Sequence, residues 1–266
     1  MILRFLHAML ALTLGSLDAA EPFLVAHRGA SHDAPENTLP AFELAWQQGA
    51  DAIEGDFHLT GDGKIVCLHD FDTRRVSGVH KVAKDSTLAE LKALDAGAWF
   101  KPEFKGTRMP SLREVAATVP TGKKFYIEIK CGPEILPVLL EDLAASGLKD
   151  DQIVIISFNA PVIAGVKKQQ PAYESCWLSA FAKASPLDPG LPEVLATLRK
   201  IGADGFSSKA DARIDAGFVK AIREAGFEYH CWTVDDEETA SRFLDLGAMS
   251  VTTNRPGFLR QRLKGR

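Results

Sequence analysis

Apolar residues recur along the chain in two alternating modes. Short runs rich in Val, Ile and Phe read as strands at 23–27, 52–57, 124–129, 153–158, 172–178, 203–207, 228–233 and 249–253. Between them the apolar positions take the helical period, near 38–48, 111–119, 134–146, 160–169, 190–201, 215–225 and 236–246, with a last helix over 256–264. Strands alternating with helices build parallel βαβ units. Eight such units in 266 residues predict a (β/α)8 TIM barrel, an α/β fold that typically takes about 250 residues. An open doubly wound sheet is the rival arrangement.

One interval breaks the alternation: more than fifty residues separate the second strand from the helix at 111. After the Gly61-Asp62-Gly63 turn, 64–69 reads as an extra strand, and STLAELKALDAGAWF reads as a short helix ending in a Gly-containing loop. A structureless loop of that length is unusual in a compact domain. An insertion after strand two, at about 71–110, is therefore expected to pack over one barrel mouth.

The first twenty residues stand apart, with Arg4, an apolar run over 5–14, and a small-residue exit ending at Ala20. That is the layout of a secretory signal peptide, although Leu17 or Asp18 stands where Ala is preferred. The run is shorter than the ~20 residues that span a bilayer. An N-terminal anchor or a barrel-plugging helix is the alternative. The expectation is a signal peptide over 1–20, a barrel domain over 21–266, a periplasmic or secreted location, and no stable membrane span.

The composition, 46% hydrophobic and 25% charged, is that of an ordinary globular protein. A net charge of −4 gives no electrostatic footprint for nucleic acid. The chain contains no GxxxxGK[ST], GxGxxG or GxSxG, which removes the P-loop, the dinucleotide fingerprint and the serine-hydrolase elbow. Cys67, Cys131, Cys176 and Cys231 form no CxxC pair and lie in or beside apolar runs, so they read as buried thiols.

His27 and Arg28 end the first strand, before Gly29 and a strand-to-helix loop; α/β proteins usually house chemistry at that position. Glu54 and Asp56 share one face of strand two, and Glu128 and Lys130 share one face of the strand at 124–129. Three carboxylates converging at one mouth make a hard-cation site suited to Mg²⁺ or Ca²⁺. A salt-bridge network with Arg28 and Lys130 is the alternative. His69 closes the extra strand and offers a second imidazole beside His27, an acid–base pair in kind; otherwise it is a structural histidine bonded to Asp70. His32, His58, His80 and His230 read as structural, though His58 shares parity with Glu54 and Asp56. Trp232 ends the strand at 228–233 and is either an apolar wall for substrate or core filler. Arg28, Lys130 and a divalent cation together form an anion pocket. Such a pocket suits phosphodiester cleavage better than phosphoryl transfer from ATP.

These residues stand in motifs that resemble the glycerophosphodiester phosphodiesterase family. The matching stretches are AHRGASHDAPENTLPAFELAWQQGADAIEGDFHLTGDGKIVCLHD, STLAELKALDAGAWF, MPSLREV, FYIEIK, ISF, CWTVDD and TTNRPGFL, in that order from Phe23 to Leu259. The resemblance implies a TIM barrel with a small inserted subdomain and a small-molecule glycerophosphodiester as substrate. It implies His27 and His69 as catalytic residues and Glu54, Asp56 and Glu128 as ligands of Mg²⁺ or Ca²⁺. Lys130 and Arg28 would meet phosphate, Trp232 the glycerol moiety, and Glu36 and Asn37 would brace Arg28 and its loop. Two departures stand out. Gly55 replaces a usual aliphatic residue, an expected loosening of strand two, and Asn254 stands where the family's T-D-x-P pattern has Asp, leaving a carboxylate role there unsupported. A lysophospholipase D-like activity, with Trp99 and Phe100 in an acyl groove, and a non-catalytic periplasmic phosphate-ester binder are the competing readings.

Overall fold

The computed structural model describes residues 23–183 and 187–265; the segment read as a signal peptide lies outside them. Among the described residues there are nine strands: β1 (Leu24–His27), β2 (Ala52–Leu59), β3 (Ile65–Cys67), β4 (Lys124–Ile129), β5 (Ile153–Ser157), β6 (Glu174–Ser179), β7 (Gly205–Lys209), β8 (Glu228–Trp232) and β9 (Ser250–Thr253). All but β3 are parallel and follow one another around a ring. Val25 pairs with Ala52 on one side and with Thr252 on the other, so β1 closes the barrel. The eight-stranded TIM barrel is the predicted fold, and closure excludes the open sheet.

Among the described residues ten α-helices accompany the strands: α1 (Leu39–Gln47), α2 (Arg74–Ser77), α3 (Leu88–Lys92), α4 (Leu112–Ala116), α5 (Leu136–Ala144), α6 (Ala160–Gln169), α7 (Leu191–Ile201), α8 (Ala216–Glu224), α9 (Glu237–Asp245) and α10 (Pro256–Arg262). Their starts follow local chemistry. Ser111 with Glu114 and Thr87 with Glu90 form capping boxes, and the Asp215 and Asp236 carboxylates accept from backbone N–H groups of the first turn. Proline occupies the first turn of α1, α6, α7 and α10, where its missing N–H costs nothing.

Parallel strands are covered on both faces, and two cores result. Phe42, Phe57, Phe125, Phe206 and Phe243 fill the layer between strands and helices, while Val25, Ala52, Tyr126, Val154, Ile156 and Leu178 fill the barrel interior. Gly55 does not loosen β2: the Phe42 ring and the Cys67 sulfur occupy the space its missing side chain leaves. The segment between β2 and α4 carries its own small core of Val66, Leu68, Val76, Ala83, Leu91, Ala96 and Met109. The extra strand, expected over 64–69, spans only 65–67 and runs antiparallel to β2. No helix among the described residues is long and apolar enough to cross a membrane.

Candidate active site

The register of the first strands assembles the site. β1 pairs His27 with Glu54, and β4 pairs Glu128 with Asp56. The chain then leaves β1 through a strained turn, since Arg28 holds φ 55° and Asn37 holds φ 57°, the left-handed region that costs a non-glycine residue about 1–2 kcal/mol. Each is held by strand β2. The Arg28 N–H donates to Glu54 Oε2 (2.8 Å), while Asn37 Nδ2 donates to Asp56 Oδ2 (2.8 Å) and Asn37 Oδ1 accepts from the Asp56 N–H (3.1 Å).

Glu54, Asp56 and Glu128 are 1%, 0% and 8% exposed, and each offers an oxygen within 4.8 Å of the others. Lys130 Nζ lies 2.7 Å from Glu128 Oε1 and 3.4 Å from Asp56 Oδ1. Arg28 Nε lies 3.1 Å from Asp56 Oδ2, with its N–H not aimed at that oxygen. These cations leave Glu54 Oε1 and Asp56 Oδ1 buried without a hydrogen bond. Burial and the neighbouring Asp56 and Glu128 charges push the Glu54 carboxyl well above the usual range. Burial and Asp56 raise Glu128 to about 7. Burial works against ionised Asp56 too, but Arg28 and Lys130 outweigh it and lower its pKa to about 2. A buried all-oxygen set with two oxygens that lack a hydrogen bond fits a hard divalent cation, which takes six to eight such ligands. The salt bridges alone do not satisfy it.

The two histidines are tethered through Nδ1. His27 Nδ1 stands 2.7 Å from Asn254 Oδ1, an oxygen that also accepts from Ser31 Oγ, while Asn254 Nδ2 donates to Asp235 Oδ2. That amide orientation makes His27 Nδ1 the donor and leaves Nε2 a proton acceptor. Burial, reinforced by Arg28, lowers the His27 pKa to about 4, so the ring is neutral at neutral pH. His69 Nδ1 stands 2.7 Å from Asp70 Oδ1. Of the histidines read as structural, His32 and His80 are exposed beside Asp33 and Asp72, and His230 is buried against Ser250 and Glu228. His58 is buried and donates from Nε2 to the His69 carbonyl (3.2 Å), under the loop that carries His69.

His27, Arg28, Glu54, His69, Glu128, Lys130 and Trp232 line one cavity of about 170 Å³ at the C-terminal ends of the strands. Asp56 is fully buried and is not among the lining residues. One wall is apolar: Phe158 and Trp232 meet edge to face with ring centroids 5.6 Å apart, and Trp232 Nε1 donates to the Ser207 carbonyl. Trp99 and Phe100 meet edge to face in the insertion and are not among the cavity's lining residues. Sequence reasoning gave no part to Asp235, Phe158 or Arg75, and noted Asn254 only as a departure from the family's T-D-x-P pattern, without its bond to His27. Asn254 follows a strand tip, as His27 ends one, and that position was the available signal. A second group of donors, Glu174, Cys176, Glu228 and His230, sits at the opposite end of the barrel, where Lys124 pairs with Glu174.

Carboxylates, imidazoles and fixed cations gathered at the C-terminal mouth of a (β/α)8 barrel define an enzyme acting on an anionic ester. The chain belongs to the glycerophosphoryl diester phosphodiesterase family, whose profile matches residues 27–258. It is 35% identical to the glycerophosphodiester phosphodiesterase of Bacillus subtilis over 91% of this chain and 86% of that one. It is 33% identical to the enzyme of the same description from Caldanaerobacter subterraneus, over 88% and 94%. Among solved structures it superposes on an Oleispira antarctica phosphodiesterase in complex with its product sn-glycerol-3-phosphate, with a TM-score of 0.81, 27% identity, and 91% and 96% of the two chains covered.

Proposed function

We propose that this chain hydrolyses glycerophosphodiesters to glycerol 3-phosphate and an alcohol, with a divalent cation, Mg²⁺ or Ca²⁺, on Glu54, Asp56 and Glu128. The observation that carries the reading is the pair of buried carboxylate oxygens without a hydrogen bond, beside two imidazoles tethered through Nδ1. When bound, the cation supplies positive charge against the phosphoryl oxygens. Arg28 and Lys130 add fixed charge of the same sign; Arg28 grips the phosphate in the bound substrate and in the transition state alike, and the growing negative charge meets a preorganised site. His27, neutral and with Nε2 as acceptor, takes the proton from the attacking oxygen, that of water or of the glycerol 2-hydroxyl, as it bonds to phosphorus; where the 2-hydroxyl attacks, water then opens the cyclic phosphodiester to glycerol 3-phosphate. His69, with Asp70 as counter-charge on Nδ1, gives a proton to the alcohol oxygen as the P–O bond breaks. Trp232 and Phe158 offer an apolar face to the carbon skeleton of the glycerol. The experiment is incubation with glycerophosphocholine and assay of both products. Glycerol 3-phosphate and choline are expected; release of phosphocholine, or no turnover, contradicts the reading.

A further inference from the structure

Arg75 lies in α2, within the insertion, and is not among the residues lining the cavity. Its guanidinium is nevertheless bound through three nitrogens. Nε donates to Asp70 Oδ2 (2.7 Å), Nη1 to Glu36 Oε2 (2.9 Å) and Nη2 to Glu36 Oε1 (2.8 Å). The Trp99 ring stands 5.9 Å from its carbon centre. Each carboxylate it holds has a second duty. Asp70 Oδ1 is the partner of His69 Nδ1 (2.7 Å), and Glu36 Oε1 accepts from Arg28 Nη1 (3.0 Å). One planar fork therefore fixes two carboxylates, and each of these fixes a different side chain of the cavity. The neighbouring Arg74 has no such role: its nearest carboxylate, Asp72, is 3.9 Å away and its side chain is 65% exposed.

We infer that Arg75 is a positioning residue for both halves of the reaction, setting the His69 ring through Asp70 and the Arg28 guanidinium through Glu36. The inference rests on the phosphodiesterase reading of the site and deepens it. The fork geometry matters. A bidentate bond to Glu36 with a third bond to Asp70 needs nitrogens at fixed angles, which a lysine ammonium does not provide. Burial works against the Glu36 charge, and Arg75 together with Arg28 holds its carboxyl below the usual range. Without Arg75, Glu36 keeps one cation and Asp70 keeps only His69, so both carboxylates gain freedom to turn. The insertion thus completes the site from outside the barrel.

The two routes predict a split. Steady-state kinetics with glycerophosphocholine on Arg75→Ala should show KM raised, through Arg28, and kcat lowered, through His69. The combined loss in kcat/KM should be about 10²-fold, the scale of a small misplacement of reacting groups. Arg75→Lys should recover little of it, added guanidinium ion should restore part of the Arg75→Ala loss, and Arg74→Ala should stay within about twofold of wild type. In an Asp70→Asn background, Arg75→Ala should still raise KM but lower kcat no further; in a Glu36→Gln background the reverse should hold. Thermal melts establish that the variants are folded. If Arg75→Ala does not fold, Arg75→Lys, which keeps the charge without the fork, carries the same test. A folded variant with both constants within twofold of wild type overturns the inference, as does an equal loss in both backgrounds, which would mark a merely structural residue. A wild type that releases no glycerol 3-phosphate removes the phosphodiesterase reading itself, which the Arg75 variants cannot do.

Discussion

His27 carries a consequence for pH. Its partner Asn254 is a neutral amide, and burial with Arg28 keeps the ring pKa down to about 4. A base with that value is lost only as the pH falls toward 4, so the acid limb it gives to kcat/KM lies there. Asn254→Asp puts a negative charge beside Nδ1, which favours the protonated ring and raises its pKa. The acid limb should then move to higher pH, measured as a pH–rate profile of the folded variant; an unmoved limb would remove His27 as the group reporting it. His27, Arg28, Glu54, Asp56, Glu128 and Lys130 were legible in the sequence because period-two parity and strand ends place a side chain without any knowledge of the fold. Asn254 was not, since its contact with His27 spans 227 residues of sequence. Arg75 was not either, because a helix of four residues leaves no periodic signal from which its facing can be read.

The loop between β1 and α1 shows how an element is set by one residue. Gly29 holds φ 79°, and a Cβ there would stand 2.5 Å from the Ala41 carbonyl carbon in α1. The Ala30 N–H donates to that same Ala41 carbonyl (2.9 Å), so the helix cannot retreat without losing the bond. Gly29→Ala combines a left-handed backbone with a backbone clash, and should destabilise the protein by more than the ~1 kcal/mol that a helix-interior glycine costs. A melt should show a lowered Tm, and activity should fall with it because Arg28 is the preceding residue; an unchanged Tm would contradict the packing described. Strands and helices of the barrel were legible because burial on one or both faces writes a period into the sequence. The extra strand was legible as an element but not in extent. It ends at Cys67, whose N–H donates to the Pro110 carbonyl across the insertion, a pairing no local pattern records.

At the scale of the molecule, closure of β1 between β2 and β9 brings the first and last strands of the chain to one mouth, and the insertion tethers that mouth from above through Arg75. The count of βα units made the barrel legible; the insertion's grip on the site was not, because it consists of side-chain bonds between separate elements. We propose that the chain is exported, since 1–20 has the layout of a signal peptide. Mass spectrometry of the native protein should then find a start near Ala20 or Glu21, and a soluble cytoplasmic species retaining Met1 would contradict export. The account depends most on the cation. Exhaustively chelated wild-type protein should release no glycerol 3-phosphate. Adding back Mg²⁺ or Ca²⁺ should restore turnover and raise Tm with cation concentration, as mass action requires. Asp56→Asn should blunt both responses, because it removes one anionic ligand. Full turnover in the chelated enzyme, with no cation-dependent rise in Tm, would contradict the account.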